Sequence, residues 1–411
     1  MDMVSAMPEG IFFTLSAHSV QTIVGGFHAM KKFLSALLAL LLLPVCASAA
    51  PLEDKAPFAM DTPSYILMEA STGQVIFEKN ADEERPVASV TKLMTILLVM
   101  EALEEGTVTL KEMVMVSPAA AGMGGSQALL DAGSAYQLEE LLKSTIIASA
   151  NDSAVALAEH IAGTEQNFAS RMNERAKALG LTNTIYQNCT GLPASGQYTT
   201  ARDVANLSRA LARHTQYYKY SSIWMDTIEH KGQRVTDLTN TNRLVRFYPG
   251  CDGFKTGSTN EAKYCISATA EKEGMRLIAV VLGTPASQTR FNEARQMLEY
   301  GFSTYRLFSV CAQGDRLGME VAVLHGGADT VDAVAGEGLS MLIRRGDEAG
   351  ISLEIALPEA MEAPVRRGDM LGEVRVLING QRVDTLPAVA GTDVGLPGYL
   401  EALLRILNGW R

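Results

Sequence analysis

Residues 85–92 read RPVASVTK, and the run LMTILLVMEAL follows directly at residues 93–103. The run is apolar on nearly every side of a helix, which predicts a helix buried in the centre of a domain. Ser89 and Lys92 then lie one turn apart on one face, where that helix begins. An amine beside a hydroxyl in a dry site can lose its proton and act as a base, and the positive end of the helix favours negative charge near Ser89. Taken alone, the pattern also fits a serine that only caps the helix.

Two further short motifs carry groups of the same kind. Ser149 and Asn151 stand at a predicted turn between two helices, where a hydroxyl and an amide can point into a cleft. Lys255, Thr256 and Gly257 stand on a predicted strand. There the lysine offers charge to a carboxylate, the threonine offers a hydroxyl, and the glycine lets another backbone approach closely. Ordinary turn or strand-end chemistry explains each motif alone, but the three together, in this order and on these elements, predict one catalytic site.

The hydrophobic pattern predicts an α/β domain of the α+β type over residues 56–303. A hairpin begins this domain, helices dominate its middle, and three strands and a helix close it, so that the first and last strands are expected in one antiparallel sheet. The predicted strands are residues 64–68, 74–78, 254–256, 264–270 and 277–282, and the predicted helices are residues 93–103, 138–147, 153–161, 168–179, 201–213 and 292–302.

From residue 306 the helical pattern disappears, and short strands separated by Gly, Asp and Pro turns predict a small all-β domain over residues 306–390. The last stretch, residues 396–411, has one apolar stripe at helical spacing, which predicts an amphipathic helix. Such a helix can lie in a membrane interface, or its stripe can pack on the β domain. The predicted strands are residues 321–324, 340–344, 352–356 and 372–377, and the stripe consists of Leu396, Tyr399, Leu400, Leu403, Leu407 and Trp410.

Residues 30–49 have the pattern of a signal peptide. Two lysines follow Met30, an apolar run covers residues 33–45, and Ala-Ser-Ala at residues 47–49 supplies a cleavage site. The apolar run is short for a membrane span, although an uncleaved anchor is the alternative. We expect Met30 to be the true start, residues 1–29 to be a mis-assigned upstream extension, and the mature chain to begin near Ala50.

Composition argues against several classes of function. The net charge is −11, and lysines and arginines are scattered rather than arranged in a stripe, which argues against a nucleic-acid partner. The four histidines after the signal form no zinc-protease pattern, and we expect neither a metal nor a cofactor. Export permits a disulfide such as Cys251–Cys265, with buried free thiols as the alternative for these and for Cys189 and Cys311.

The three motifs are similar to those of the low-molecular-mass penicillin-binding proteins, specifically the D-Ala-D-Ala carboxypeptidases, a class marked by Ser-x-x-Lys, a Ser/Asp/Asn element and Lys-Thr-Gly. The resemblance covers nearly the whole mature chain and continues through residues 290–293 into the β-rich tail domain. It implies a DD-peptidase/β-lactamase-like domain with an antiparallel sheet and a helical subdomain, followed by a small all-β domain. The matching segments are residues 86–95, 149–163, 188–203, 240–242 and 252–259.

The same resemblance implies a catalytic role for four residues. Ser89 would be the acylating nucleophile and Lys92 its general base. Ser149 would relay a proton to the leaving D-alanine, and Asn151 would hold the substrate amide. The substrates would be peptidoglycan stem peptides ending in D-Ala-D-Ala, and β-lactams would be inhibitors.

Five residues would bind the substrate by the same resemblance. Lys255 and Thr256 would face the terminal carboxylate, with Gly257 on the same strand, and Arg290 would help to bind that carboxylate. The oxyanion hole would consist of the N–H groups of the nucleophile and of Ser258. Position 258 is often bulky in relatives, so the serine here leaves any side-chain role open but not the backbone role. The alternative for Arg290 is an ordinary surface charge where a helix begins.

Two other functions fit part of the pattern. A class A β-lactamase shares the first and third motifs but needs a glutamate on a loop between the second and the third. The corresponding loop, residues 188–198, has no acidic residue, and the added β domain also disfavours this class. A catalytically silent wall-binding or penicillin-sensing protein is disfavoured because every expected catalytic residue is present. We expect an exported enzyme at the outer face of the cytoplasmic membrane or in the cell wall, which is the periplasm if an outer membrane is present.

Overall fold

The computed structural model of the chain describes residues 52, 53, 55–399 and 403. The predicted upstream extension at residues 1–29 and the signal peptide at residues 30–49 lie outside these residues, as does most of the tail helix predicted at residues 396–411. None of the described helices is long and apolar enough to cross a membrane.

The described chain up to residue 304 is an α+β domain. Its strands are β1 (Ser64–Glu69), β2 (Val75–Lys79), β3 (Met113–Met115), β4 (Ala135–Gln137), β5 (Met225–Glu229), β6 (Val235–Thr239), β7 (Cys251–Gly253), β8 (Thr256–Thr259), β9 (Lys263–Lys272) and β10 (Met275–Thr284). Its helices are α1 (Lys92–Glu104), α2 (Pro118–Ala121), α3 (Leu138–Ile147), α4 (Asn151–Ala162), α5 (Glu165–Ala178), α6 (Ala201–Leu211), α7 (Tyr218–Ser221), α8 (Leu244–Phe247) and α9 (Ser287–Thr304), with 3-10 turns at Ala88–Thr91, Thr215–Tyr217 and Lys231–Gln233.

A six-stranded antiparallel sheet forms the centre of this domain, in the order β2-β1-β10-β9-β7, with β8 also paired to β9. Strand β1 pairs with β10 from Ser64 opposite Leu282 to Glu69 opposite Leu277, so the first and last strands are neighbours as predicted. Strand β10, with the sequence MRLIAVVLGT, is apolar without alternation and buried along most of its length. Such a run is typical of a strand that is covered on both faces.

A hydrophobic core lies on each face of the sheet. On one face α1 packs in the middle of a layer that includes α3, α4, α5 and α6. On the other face α9 packs through residues such as Phe291 and Leu298. Helix α1 is therefore the buried central helix that the sequence predicted. Its wholly buried apolar side chains are Leu93, Met94, Ile96, Leu97 and Val99.

The described chain from residue 305 is all β, as predicted. A six-stranded sheet in the order β15-β17-β18-β13-β12-β16 and a two-stranded ribbon of β11 and β14 enclose small apolar cores. The four predicted strands fall within β12, β14, β15 and β17. The strands are β11 (Tyr305–Cys311), β12 (Arg316–Leu324), β13 (Thr330–Ala335), β14 (Leu339–Arg344), β15 (Ile351–Ala356), β16 (Ala360–Glu362), β17 (Met370–Ile378) and β18 (Gln381–Ala390), with a 3-10 turn at Asp347–Gly350.

Three predicted boundaries near the motifs are wrong. Lys255 does not lie on a regular strand but between β7 and β8, because the ladder with β9 is interrupted there. Helix α4 begins at Asn151 rather than at residue 153, so this amide belongs to the helix. Helix α9 begins at Ser287 rather than at residue 292, which places Arg290 in its first turn.

Candidate active site

Ser89 lies on the 3-10 turn Ala88–Thr91, which runs directly into α1. Ala88 has a φ of 49°, a left-handed conformation that costs a residue with a side chain about 1–3 kcal/mol. The side chain of Ser89 is half-buried, and neither the turn nor α1 begins with a side-chain capping hydrogen bond. The alternative in which Ser89 only caps the helix is therefore not supported. The strained turn instead presents the hydroxyl to Lys92.

The amine of Lys92 is wholly buried and has three oxygen neighbours. Its Nζ atom lies 2.5 Å from Asn151 Oδ1, 2.7 Å from Thr190 O and 3.0 Å from Ser89 Oγ. Burial lowers the pKa of Lys92 to about 7, against a smaller opposing effect of two nearby groups that can carry negative charge. A neutral amine has two N–H groups and one lone pair. The oxygen atoms Asn151 Oδ1 and Thr190 O can only accept hydrogen bonds, so they accept from the two N–H groups of the neutral amine. The lone pair of the amine then faces Ser89 Oγ.

The carbonyl of Thr190 is held in place by Asn188, to which the sequence motifs gave no role. Asn188 Oδ1 accepts hydrogen bonds from Thr190 N at 3.2 Å, Thr190 Oγ1 at 3.1 Å and Gly191 N at 2.7 Å. Gly191 has a φ of 80°, and a Cβ atom there would lie 2.0 Å from the carbonyl oxygen of Ala88. The loop therefore packs its own backbone on the turn that carries Ser89. The signal for it in the sequence is only an Asn and a Gly at turn spacing.

Asn151 reaches Lys92 from the first residue of α4, and Ser149 lies two residues before it, in the turn that precedes the helix. Ser149 is buried, has a φ of 61°, and its Oγ has no hydrogen-bond partner within the part of the chain that the structure describes. A buried hydroxyl without a partner is costly unless a ligand or water completes it. Asn151 uses both ends of its amide, since Oδ1 faces Lys92 and Nδ2 donates to Gly124 O at 2.6 Å. The predicted contact of Asn151 with a substrate amide stays a prediction.

Lys255 and Thr256 lie side by side on the opposite wall, and both are buried. Across the described residues, Lys255 Nζ has no hydrogen-bond partner. Burial holds the pKa of Lys255 well below its usual range, and the positive charges of Lys92 and Arg290 lower it further. An anion is the group that would satisfy such an amine. This wall therefore suits a carboxylate, and the contact of Lys255 and Thr256 with one stays a prediction.

Gly257 is the point where β8 touches the turn that carries Ser89. A Cβ atom on Gly257 would lie 2.4 Å from Val87 O, 2.9 Å from Ser89 N and 3.0 Å from Val90 N. The close backbone approach expected of this glycine is present, and a side chain would prevent it. The following residue, Ser258, exposes its side chain. Backbone N–H groups on two such adjoining segments are the arrangement that an oxyanion hole uses.

Arg290 lies behind β8 and is only 8% exposed. Its Nη1 donates hydrogen bonds to Gly257 O at 3.0 Å and to Cys265 O at 3.3 Å, while Nε has no partner among the described residues. Burial lowers the pKa of Arg290 to about 10. The alternative of an ordinary surface charge is therefore wrong. The guanidinium braces the strand beside Lys255, and its contact with a carboxylate stays a prediction.

The cysteines after the signal are free thiols, and three of them are buried: Cys189, Cys251 and Cys265. In the sheet Cys251 stands opposite Ala270 and Cys265 opposite Gly257, so the suggested Cys251–Cys265 disulfide is not formed. In the part of the chain that the structure describes, no group of three or more His, Cys, Asp or Glu side chains could hold a metal ion.

Two sequence families match the chain. The family described as D-alanyl-D-alanine carboxypeptidase matches residues 50–286, and the family described as Penicillin-binding protein 5, C-terminal domain, matches residues 305–395. The chain is 36% identical to the D-alanyl-D-alanine carboxypeptidase DacF of Bacillus subtilis (strain 168), over 93% of this chain and 99% of that protein. It is 35% identical to the D-alanyl-D-alanine carboxypeptidase DacC of Escherichia coli (strain K12), over 86% and 89%. The crystal structure of penicillin binding protein 5 from Haemophilus influenzae is similar with a TM-score of 0.74 at 29% identity, over 83% of this chain and 99% of that chain.

The fold and the serine–lysine centre define a serine hydrolase of the penicillin-binding class. The chain belongs to the D-alanyl-D-alanine carboxypeptidase family. This confirms the family, the fold class and the assignment to serine carboxypeptidases that the sequence predicted. The match to this family favours neither the β-lactamase nor the catalytically silent alternative. The roles of the individual site residues remain predictions.

Proposed function

We propose that the protein removes the terminal D-alanine from peptidoglycan stem pentapeptides through an acyl-enzyme on Ser89. The observation that carries this proposal is the setting of Lys92, whose lone pair in the neutral amine faces Ser89 Oγ at 3.0 Å. A general base contributes roughly 10²–10⁴-fold to the rate and works best when its pKa lies near the working pH. The lowered pKa of Lys92, about 7, meets that condition.

The acylation step uses four groups of the site. Lys92 takes the hydroxyl proton as Ser89 Oγ bonds to the carbonyl carbon between the last two D-alanines. The N–H groups of Ser89 and Ser258 bind the oxygen on which negative charge develops. The proton passes through Ser149 to the leaving amine, the C–N bond breaks, and free D-alanine departs. The Oγ of Ser149 supports this relay. It has no hydrogen-bond partner among the described residues, so the leaving amine of a bound substrate could supply one.

Water completes the cycle. It attacks the ester on Ser89, Lys92 takes the proton of the water, and the serine oxygen regains a proton as the shortened peptide leaves. The unpartnered amine of Lys255, which a bound carboxylate would help to protonate, the guanidinium of Arg290 and the hydroxyl of Thr256 suit a free terminal carboxylate. The expected product is therefore free D-alanine rather than a cross-linked dimer. β-Lactams would acylate the same serine, which agrees with the penicillin-binding names of the relatives.

Penicillin labelling followed by peptide mass spectrometry tests the proposal. We expect the adduct on the peptide that contains Ser89, and none after Ser89→Ala. Ser303→Ala is the matched control, because it makes the same change at an exposed serine near the end of α9 and should keep full labelling. An adduct on another residue in the wild type, or labelling that survives Ser89→Ala, would remove Ser89 from the mechanism.

The site of action is part of the same proposal. Export by the signal at residues 30–49 would place the enzyme outside the cytoplasm, where peptidoglycan is found. The tail helix at residues 396–411 would hold it on the outer face of the cytoplasmic membrane. Three members of its apolar stripe are described and all are exposed, Leu396 at 66%, Tyr399 at 88% and Leu403 at 44%. Exposed side chains of this kind support a membrane interface over packing on the β domain.

Truncation after Val394, with the signal intact, tests the anchor. We expect the truncated enzyme to move from the membrane fraction to the soluble fraction and to keep its melting temperature. If it stays with the membrane as fully as the intact enzyme, the tail is not the anchor. If it loses thermal stability instead, the stripe packs on the protein.

A further inference from the structure

A cleft of about 340 Å³ lies between α8 and the first half of α9. On α9 the lining side chains are spaced three or four residues apart and so share one face of the helix. The cleft combines two guanidinium groups, two amides and an apolar floor, and none of its lining side chains is acidic. The lining residues are Arg243, Leu244, Phe247, Gln288, Phe291, Asn292 and Arg295.

The positive charge in this cleft is uncompensated. Arg243 is exposed, and its guanidinium makes no hydrogen bond or ion pair within the described residues, although its backbone carbonyl accepts hydrogen bonds from Arg246 N and Phe247 N. Arg295 donates only to a neutral group, the carbonyl oxygen of Phe247, at 2.9 Å. Arg290 lies behind one wall, with its guanidinium carbon 4.7 Å from the ring centre of Phe291. In a chain with a net charge of −11, such a group of cations is a local arrangement and does not follow from composition.

Like charges placed together destabilise the folded state unless an anion joins them. Guanidinium groups bind carboxylate and phosphate oxygens through paired, charge-assisted hydrogen bonds. The amides of Gln288 and Asn292 offer further donors, and the ring of Phe247 is 57% exposed beside them. The lining therefore suits an oxygen anion that is attached to an apolar or ring-bearing group.

We infer that this cleft is a binding subsite for such an oxyanion, separate from the carboxylate-binding wall at Lys255 and Thr256. The substrate chain ends at its terminal carboxylate, so the occupant is a second molecule or another part of the cell-wall polymer. Carboxylates and phosphates share the required chemistry. The inference does not depend on the acyl-enzyme mechanism, because the residues that line the cleft, Arg243 and Arg295 among them, have no part in that mechanism.

Direct titration of the full-length enzyme with phenyl phosphate and with benzoate, at constant ionic strength, tests the inference. We expect saturable binding of one molecule, tighter than that of inorganic phosphate because the two rings of the cleft add an apolar contact. Arg243→Ala should weaken binding roughly 10-fold to 100-fold, the usual value of one charged hydrogen bond. Arg316→Ala, which removes the same charge from an exposed position on β12, is the matched control and should bind as the wild type does.

A second titration uses enzyme that has first been treated with penicillin. Binding should be unchanged, because a ligand on Ser89 leaves the cleft open. Loss of binding after this treatment would place the anion in the substrate pocket and overturn the inference. The inference would also be overturned if no saturable binding were seen, or if Arg243→Ala and Arg316→Ala bound the ligands with equal affinity. Penicillin labelling of Arg243→Ala should match the wild type, which keeps this test distinct from that of the mechanism. The tighter of the two ligands identifies the natural anion as a phosphate or a carboxylate.

Discussion

Replacing Lys92 by methionine, an apolar side chain of similar length, tests whether the buried amine is neutral in the folded protein. Burial lowers the pKa of Lys92 from 10.5 to about 7. Because the folded-state pKa is the lower one, the unfolded chain binds more protons between pH 7 and pH 10.5. The free energy of unfolding therefore rises with pH across that window. The slope is about 1.4 kcal/mol per pH unit where the folded amine is fully neutral.

Between pH 7 and pH 9 the free energy of unfolding should rise by about 2 kcal/mol because of Lys92. This is less than the full slope would give over two pH units, because the folded amine is still half protonated at pH 7. Urea unfolding at both pH values should show a rise that is larger in the wild type than in Lys92→Met by about 2 kcal/mol, because Lys255, whose pKa burial also lowers, contributes a rise to both proteins. Lys219→Met, at an exposed position, is the matched control and should run parallel to the wild type. If wild type and Lys92→Met also run parallel, the amine stays charged in the folded protein and cannot serve as the base.

Three further substitutions test how the backbone and Arg290 support the site. In Gly257→Ala the new Cβ atom would lie 2.4 Å from a carbonyl oxygen of the nucleophile's turn, and a displacement of about 1 Å should lower the rate of penicillin acylation on the order of 10²-fold. Gly395→Ala meets nothing within 4 Å and should keep that rate, so equal rates would refute the packing argument. Asn188→Ala should let water reach the base and move the rising limb of the pH–acylation profile to higher pH, whereas a slower rate with an unmoved profile would make the loop merely structural. Arg290→Ala should weaken turnover of D-Ala-D-Ala peptides far more than of peptides with an amidated end, and equal losses would show that it only braces β8.

Side-chain patterns predicted much of this molecule. The mostly apolar run at residues 93–103 indicated a central buried helix, and the structure places α1 there. The glycine in Lys-Thr-Gly indicated a close backbone approach, and β8 does touch the nucleophile's turn. Both features leave a mark in the sequence because they restrict which side chains can occur.

The positions of backbone groups and the ends of helices without a side-chain cap could not be predicted from side-chain patterns. The carbonyl of Thr190 binds the base, but any residue supplies a carbonyl, so nothing in the sequence marks its position. Helix α9 begins with the polar residues 287–290 and without a side-chain cap, which hid its first turn and the burial of Arg290. In the β domain, strand β18 is exposed over its first half and has little apolar pattern there.

The turn that carries Ser89 lies between two stretches of main chain, Gly191 on one side and Gly257 on the other. This has a consequence for drug resistance. A pocket lined by side chains can exclude an inhibitor when one of them grows or shrinks. Here both neighbours are glycines, and a side chain at either one would displace the turn of Ser89, the proposed nucleophile for the natural substrate and for the drug. If Ser89 is the nucleophile, point mutations at these two positions should lower acylation by the substrate and by β-lactams alike, and they do not offer a way to exclude the inhibitor alone.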